Sequence, residues 1–522
     1  MRKLLNPVLR GFNPDPSILR VGRDYYLATS TFEWFPGVPI YHSRDLENWR
    51  LIGHALTRKS QLDLVGVPDS AGIWAPAISR YDDVYYLVYT IVRNRSGAFK
   101  DVHNYIVTAT SPDGPWSEPV YLNSSGFDPS LFHDDDGRHW LVNMQWDHRP
   151  ANPRFGGIVL QEYSLQQQRL VGPIVNICRK DPLIEGPNIY KVNGFYYLML
   201  AEGGTDWNHG ISMARARNIT GPYELDPQPL VLTSRKSPGA ALQKAGHGEL
   251  VQTPAGRWYL AHLCSRALYP ARRCPLGRET AIQAVTWSAD GWLRLESGGT
   301  DPELQVALPD ELEPHQWEIQ PDRDDFNSPS LGPAWQSPRD VADPTWASTI
   351  ERPGFLRLRG RESMHSLFRQ SLLAQRVQSF HAEAETVLEF QPEHFTQSAG
   401  LIVYYDTRHH FYLRVTHEEK LGIVIGVVQT DAGVYQEFTD SQLVISHWPR
   451  VYLKAAMHDE CLQFYASADA RQWHVFPVLC DFTKLSADYA GGFTGAFAGL
   501  CVQDLRGTHI EADFDYFQLR NV

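Results

Sequence analysis

A chain of 522 residues is too long for one hydrophobic core, so two or more domains are expected. Its 48 basic and 60 acidic side chains leave a formal charge of −12, which argues against nucleic acid or an anionic membrane surface as partner. No run of 18 apolar residues occurs, and the start "MRKLLNPVLRGFNP" is broken at Asn6 and Pro7, so neither a membrane span nor a secretory leader is expected and a cytoplasmic location is inferred.

The first element, "GFNPDPSI" at 11–18, sets Asp15 between two prolines. Proline fixes φ and restricts the residue before it, so Asp15 is either a surface-turn residue or a carboxylate held in one orientation. A strand follows, "DYYLAT" at 24–29, and its signature recurs as "VYYLVYT" at 84–90, "RHWLVN" at 138–143, "FYYLML" at 195–200 and "RWYLAH" at 257–262. Each copy follows a turn signal. Each is preceded by a segment with a distinctive residue near its head: Asp15, Trp74 in "IWAPAIS", Asp128 in "GFDPSLF", Glu185 in "IEGPNIY" and His247 in "GHGELV". The period of roughly 50 to 65 residues suits four short strands, one propeller blade. Five copies predict a five-bladed β-propeller whose first strands line a central channel, with the five head residues in one phase. A β-sandwich with evenly spaced hairpins is the alternative. "HDDDGRH" at 133–139 falls between two strands and reads as a hairpin turn, not a metal loop.

The polar, Pro-rich stretch "PHQWEIQPDRDDFNSPSLGPAW" at 314–335 marks a boundary. The predicted layout is a propeller over 1–310, a linker over 311–323 and a second domain over 324–522 packed on the propeller. Short alternating runs such as "AGLIVYYD", "HFYLRVTH" and "LQFYASAD" make that domain an antiparallel sandwich. Segments "DDF" at 324–326 and "FDYF" at 514–517 are expected to bring its ends together. The six cysteines (Cys178, Cys264, Cys274, Cys461, Cys480 and Cys501) lack metal-ligand spacing and read as reduced, buried thiols.

Three carboxylates from different blades, Asp15, Asp128 and Glu185, are thus expected in one pocket. Glycoside hydrolysis needs two such groups, one protonated and one ionised, and a third nearby raises the acid's pKa. Spacing assigns a shared phase, not the individual roles. A retaining enzyme on the same architecture and a sugar-binding protein without catalysis are the competing classes.

The motifs "FNPDPSI", "ATSTFEWFPGVPI", "GIWAPAIS", "GFDPSLFHDDDGRHWLVN", "EGPNIY", "AEGGT", "GHGELV" and "CPLGRETAIQ" resemble glycoside hydrolase family 43. More closely, the chain is similar to that family's β-xylosidases with a C-terminal sandwich. The resemblance spans nearly the whole chain. It implies an all-β chain, a five-bladed propeller followed by a concanavalin-like jelly-roll sandwich, and an inverting, exo-acting β-xylosidase that releases xylose from β-1,4-xylo-oligosaccharides such as xylobiose. An α-L-arabinofuranosidase, or a dual enzyme, is the nearest rival.

Carried over residue by residue, the resemblance makes Asp15 the general base, Asp128 the group that tunes and orients the acid, and Glu185 the general acid. Arg278 is the substrate-binding arginine, with an ion pair to Glu279 or another carboxylate as its structural alternative. Phe32 and Trp74 shape the pocket or simply pack. Phe493, in "GGFTGAF" at 491–497, is the candidate rim residue from the sandwich. Lys100 and Asp101 match a segment near the pocket, with a solvated loop as alternative; Trp207 is a weaker candidate platform for a second sugar. His247 lies under the site, where the family suggests a cation. One His cannot hold Ca²⁺ or another divalent ion by itself, so waters have to supply the remaining ligands. No cofactor is required by the mechanism. A homodimer or tetramer is expected.

Overall fold

The computed structural model describes residues 2–181 and 183–521. Five four-stranded antiparallel sheets follow one another from Ser17 to Leu295, each laid out in chain order from an innermost strand outward. The innermost strands are Ser17–Val21, Gly72–Tyr81, Gly126–His133, Ile184–Val192 and Gln243–Gln252, and they pack around one axis, blade 5 against blade 1. The aromatic strand signatures form the second strands, Asp24–Ala28, Val84–Asn94, His139–Trp146, Phe195–Glu202 and Trp258–Ser265. Tight turns join first to second strands. Asp82 and Asp83 are both at positive φ, as are Asn193 and Gly194, the backbone that matches strand twist in a two-residue hairpin.

The ring is closed by the chain start. Lys3–Leu5 pairs with Gln305–Ala307, and Asn6 exchanges hydrogen bonds of 2.8 Å with both backbone groups of Ile282 in blade 5. "HDDDGRH" is a hairpin turn, as read from sequence: Asp134 N–H donates to the Arg138 carbonyl. Its Asp134 carboxylate also accepts from Lys191 and Tyr196, tying blade 3 to blade 4.

No strand lies between Ala307 and Arg323 among the described residues. Beyond it stand an eight-stranded and a seven-stranded antiparallel sheet with one apolar core between them, including Trp335, Trp346, Phe411, Phe464 and Phe514. Arg323–Asp324 pairs with Gln518 and Phe517, so the domain's two ends meet as expected. Five cysteines are buried, but Cys461 is exposed, a departure from the all-buried expectation. It opens the hairpin strand Cys461–Ser467, where alternation turns it outward.

The domains interlock. Trp34–Phe35 of the propeller pairs with Ser337–Pro338 of the sandwich. Trp34 stacks on Phe497 with centroids 3.7 Å apart, and Phe12, Phe32 and Trp34 share a core with Leu372, Ile402 and Tyr404. Arg376 Nε donates to the Phe12 carbonyl at 2.7 Å.

Candidate active site

In each blade a residue in or just ahead of the innermost strand lies in the left-handed region. These are Asp15 (φ 53°), Ala75 (26°), Asp128 (55°), Gly186 (54°) and His247 (37°). Ladder register shifts around this point in blades 2 to 5. A bulge of this kind re-aims side chains toward the axis. The alignment corrects the phase expected from sequence: Trp74 and Glu185 stand one residue before the left-handed position, as Phe127 does in blade 3. In blade 4 a glycine supplies the positive φ without a Cβ penalty, and the carboxylate comes from its neighbour. The glycine has a second use: a Cβ on Gly186 would lie 2.9 Å from the His247 ring.

The bulges converge on a cavity of about 380 Å³, its open mouth included, lined by Asp15, Phe32, Trp74, Phe127, Asp128, Glu185, Thr205, His247, Arg278 and Phe493. Eight of the eleven candidates named from sequence therefore meet in one place. Phe127 and Thr205 were missed. Both had a signal: Phe127 holds in "GFDPS" the place Trp74 holds in "IWAPA", and Thr205 closes the motif "AEGGT".

Asp15 is buried and held at both oxygens. Oδ2 accepts from Ser30 Oγ at 2.6 Å, and Oδ1 accepts from Arg278 Nη1 at 2.6 Å. Arg278 lines the pocket and also makes an ion pair, with Asp15 and not with Glu279, which is occupied by Arg266 at 2.7 Å. Arg278 Nη2 also reaches the Phe493 carbonyl at 3.3 Å. Asp128 Oδ2 accepts from the N–H of Gly186 at 3.1 Å, the residue directly after Glu185.

Burial pushes the Glu185 carboxyl up to about 7, helped by the charge of Asp15; Arg278 and Lys100 act the other way. Burial, then Glu185 and Asp15, also raise Asp128. Burial lowers His247, with Arg278 adding to it and Asp15 opposing it, so the imidazole is neutral at pH 7. Its Nδ1 lies 3.8 Å from Asp15 Oδ1.

The weaker candidates divide. Lys100 is beside the pocket, its Nζ donating to the Arg95 carbonyl at 2.7 Å and lying 5.5 Å from the Trp74 ring centroid. Asp101 is exposed and does not line the cavity. Trp207 is half-buried and covered by Arg272 at 4.0 Å and Lys244 at 4.9 Å.

Residues 4–293 match the family model "Glycosyl hydrolases family 43", and 323–520 match "Beta xylosidase C-terminal Concanavalin A-like domain". The chain belongs to glycoside hydrolase family 43. It is 46% identical to the "Beta-xylosidase" of Bacillus subtilis (strain 168), over 99% of each chain. It is 48% identical to the "Xylosidase/arabinosidase 43B" of Humicola insolens, over 100% of this chain and 98% of the other. The solved structure of a xylan β-1,4-xylosidase from Bacillus halodurans C-125 superposes with a TM-score of 0.97 at 54% identity, covering 99% of this chain and 100% of that one. This family 43 chain is accordingly a propeller followed by a concanavalin-like sandwich, and it is a glycosidase acting on small carbohydrates.

Proposed function

We propose that the protein is an exo-acting β-D-xylosidase that removes xylose from the non-reducing ends of short β-1,4-xylo-oligosaccharides with inversion. One observation carries this reading. The three carboxylates of the propeller and Phe493 of the second domain line one and the same cavity. In this reading the wall that Phe493 adds favours one terminal sugar over a long chain.

In this reading Glu185, its carboxyl pushed up to about 7, donates its proton to the leaving oxygen. Asp15, fixed by Ser30 and countered by Arg278, takes a proton from the attacking water. Asp128 acts through the Gly186 N–H, locking the backbone that carries Glu185. Phe32, Trp74 and Phe493 offer apolar faces to the ring, and Arg278 offers donors to its hydroxyls.

His247 is neutral, buried and within 3.8 Å of a carboxylate, so it fits as the single protein ligand of a hydrated divalent cation. Such an ion adds positive charge beside Asp15, and the hydrolysis needs none. A second group with ligand spacing, His381, His458 and Asp459, is exposed on the sandwich. Its two imidazoles stack parallel at 4.1 Å, which sets their in-plane lone pairs side by side, not convergent.

An α-L-arabinofuranosidase activity on the same site is the second reading, favoured by the dual name of the Humicola insolens relative. A cytoplasmic location suits short imported oligosaccharides. For a dimer or tetramer, the edge strands His474–Asp481 and Val434–Glu437 offer exposed Val475, Leu479, Val434 and Tyr435.

Proton NMR of xylobiose hydrolysis tests the proposal. Fresh α-xylose, ahead of mutarotation, is expected. Fresh β-xylose makes one carboxylate a nucleophile and overturns inversion. No cleavage of xylobiose, with cleavage of arabinofuranosides, replaces the first reading by the second.

A further inference from the structure

Phe493 is the one lining residue that the propeller does not supply, yet the propeller holds its backbone at both ends. Its carbonyl accepts from Arg278, and its N–H donates to Ser70 Oγ at 2.9 Å. Ser70 is buried and left-handed, at φ 61°. Its carbonyl accepts from Trp74 Nε1 at 3.2 Å, and its own N–H donates to Glu33 Oε2 at 3.0 Å. Glu33 follows Phe32 directly in the chain. Ser70 is therefore hydrogen-bonded to Trp74, to Phe493 and to the neighbour of Phe32, while lining no part of the cavity itself.

The three rings form a mutual cluster. Centroids are 5.9 Å apart for Phe32 and Phe493, 5.6 Å for Trp74 and Phe493, and 6.2 Å for Phe32 and Trp74. The surrounding backbone leaves no slack. A Cβ on Gly492 would lie 2.4 Å from Ser70 Oγ, and one on Gly72 would lie 2.2 Å from the Phe32 carbonyl oxygen. The strut that carries Ser70 is also gripped by the sandwich, because Asp69 accepts from Arg339 and Thr407, both at 2.5 Å.

We propose that Ser70 is the positioning residue of the aromatic wall: it sets the spacing of Phe32, Trp74 and Phe493 and thereby the preference for a pyranose over a furanose ring. The inference rests on the sugar-pocket reading above. A xylopyranose ring has no exocyclic carbon, whereas an arabinofuranose ring carries one. A wall that yields admits the second more readily than one that is fixed. Without the hydroxyl, the half-buried Phe493 N–H loses its partner, and the loop that bears the ring is no longer pinned at that point.

Ser70→Gly is the informative variant. It accepts φ 61° without strain and lacks only the hydroxymethyl group, so a folding defect is separated from loss of the bond. Ser70→Ala accompanies it, and melting temperatures of both are recorded. On aryl β-D-xylopyranoside, KM is expected to rise about tenfold with kcat within about threefold, the pattern of lost ground-state positioning. The kcat/KM ratio of xyloside to α-L-arabinofuranoside is expected to fall several-fold. Unchanged KM and ratio in folded Ser70→Gly overturn the assignment, while a wild-type protein that hydrolyses no xyloside strikes the xylosidase reading instead. Calorimetric binding of xylose, compared between Glu185→Gln and Glu185→Gln/Ser70→Gly, tests the wall without turnover: about tenfold weaker binding in the double variant supports it, and equal binding refutes it.

Discussion

Carboxylates are treated in opposite ways at the propeller axis and on the outer face of the sandwich. At the axis Asp15, Asp128 and Glu185 surround one cavity, and one guanidinium, Arg278, pairs with one of them. Burial and like charge prevail there, and both Glu185 and Asp128 are raised. On the eight-stranded sheet, Asp513, Glu511, Glu351 and Glu389 face Arg352, Arg357, Arg359 and Arg450. Burial pushes Asp513 up as well, but bonds from Arg357 and Arg352 outweigh it and hold the carboxyl below its usual range. Matched charge favours the ionised state and supports the fold. Unmatched charge is kept at a cost in stability, and what it supplies is proton affinity near neutral pH.

The largest effects are expected from removing the unmatched groups. Glu185→Gln and Asp15→Asn should each lower kcat on xylobiose roughly a thousandfold. Aryl xylosides with good leaving groups separate them. They should restore much of the activity to Glu185→Gln, since departure then needs no proton, and little to Asp15→Asn, since water still needs its base. The reverse pattern exchanges the two roles.

A pH series sharpens the same contrast. Because Glu185 must be protonated, kcat/KM should fall on the alkaline side around pH 7. The stability sign follows from the raised value. Native Glu185 holds its proton more tightly than the unfolded chain, whose reference value is 4.5, so its contribution is fully present below pH 4.5 and lost as pH rises through about 7. Glu185→Gln removes that loss. Its melting temperature should therefore gain on the wild type between pH 4.5 and 8, while activity is absent. A parallel decline in both proteins would show that Glu185 is not the group that titrates.

How much of this was legible in the sequence differs by level. The blades were legible because each repeat carries its own turn chemistry and alternation, local signals that survive in any context. The three carboxylates were legible because each stands one or two residues ahead of a proline in the head segment of its repeat. The one-residue offset of Glu185 was not, because Gly186 takes the left-handed position there and only backbone geometry reveals it. Glu33 and Ser70 were wholly hidden. Ser70 meets Phe493 across 423 positions, through a docking of two domains that no periodicity records. Arg278 stood beside Glu279 in the chain, yet its partner proved to be Asp15, 263 positions away.

The smallest effects belong to the matched region, and they test whether matching or mere proximity stabilises it. Asp513 is mostly enclosed, accepting 2.7 Å from Arg352 and 2.8 and 2.9 Å from Arg357. Its lowered pKa gives it the opposite sign to Glu185: the contribution is present above the unfolded value near 3.8 and lost as pH falls. Asp513→Asn should cost about 2 kcal/mol at pH 7, fading toward pH 3, with kcat and KM unchanged. Glu351 also bonds Arg359, but it is open to solvent, so water screens the pair and Glu351→Gln should leave the melting curve nearly where it was. Equal losses from the two variants would mean that burial does not set the strength of this network. The axis and the sheet face would then differ in charge count alone, and the raised pKa of Glu185 would owe more to Asp15 than to its enclosure.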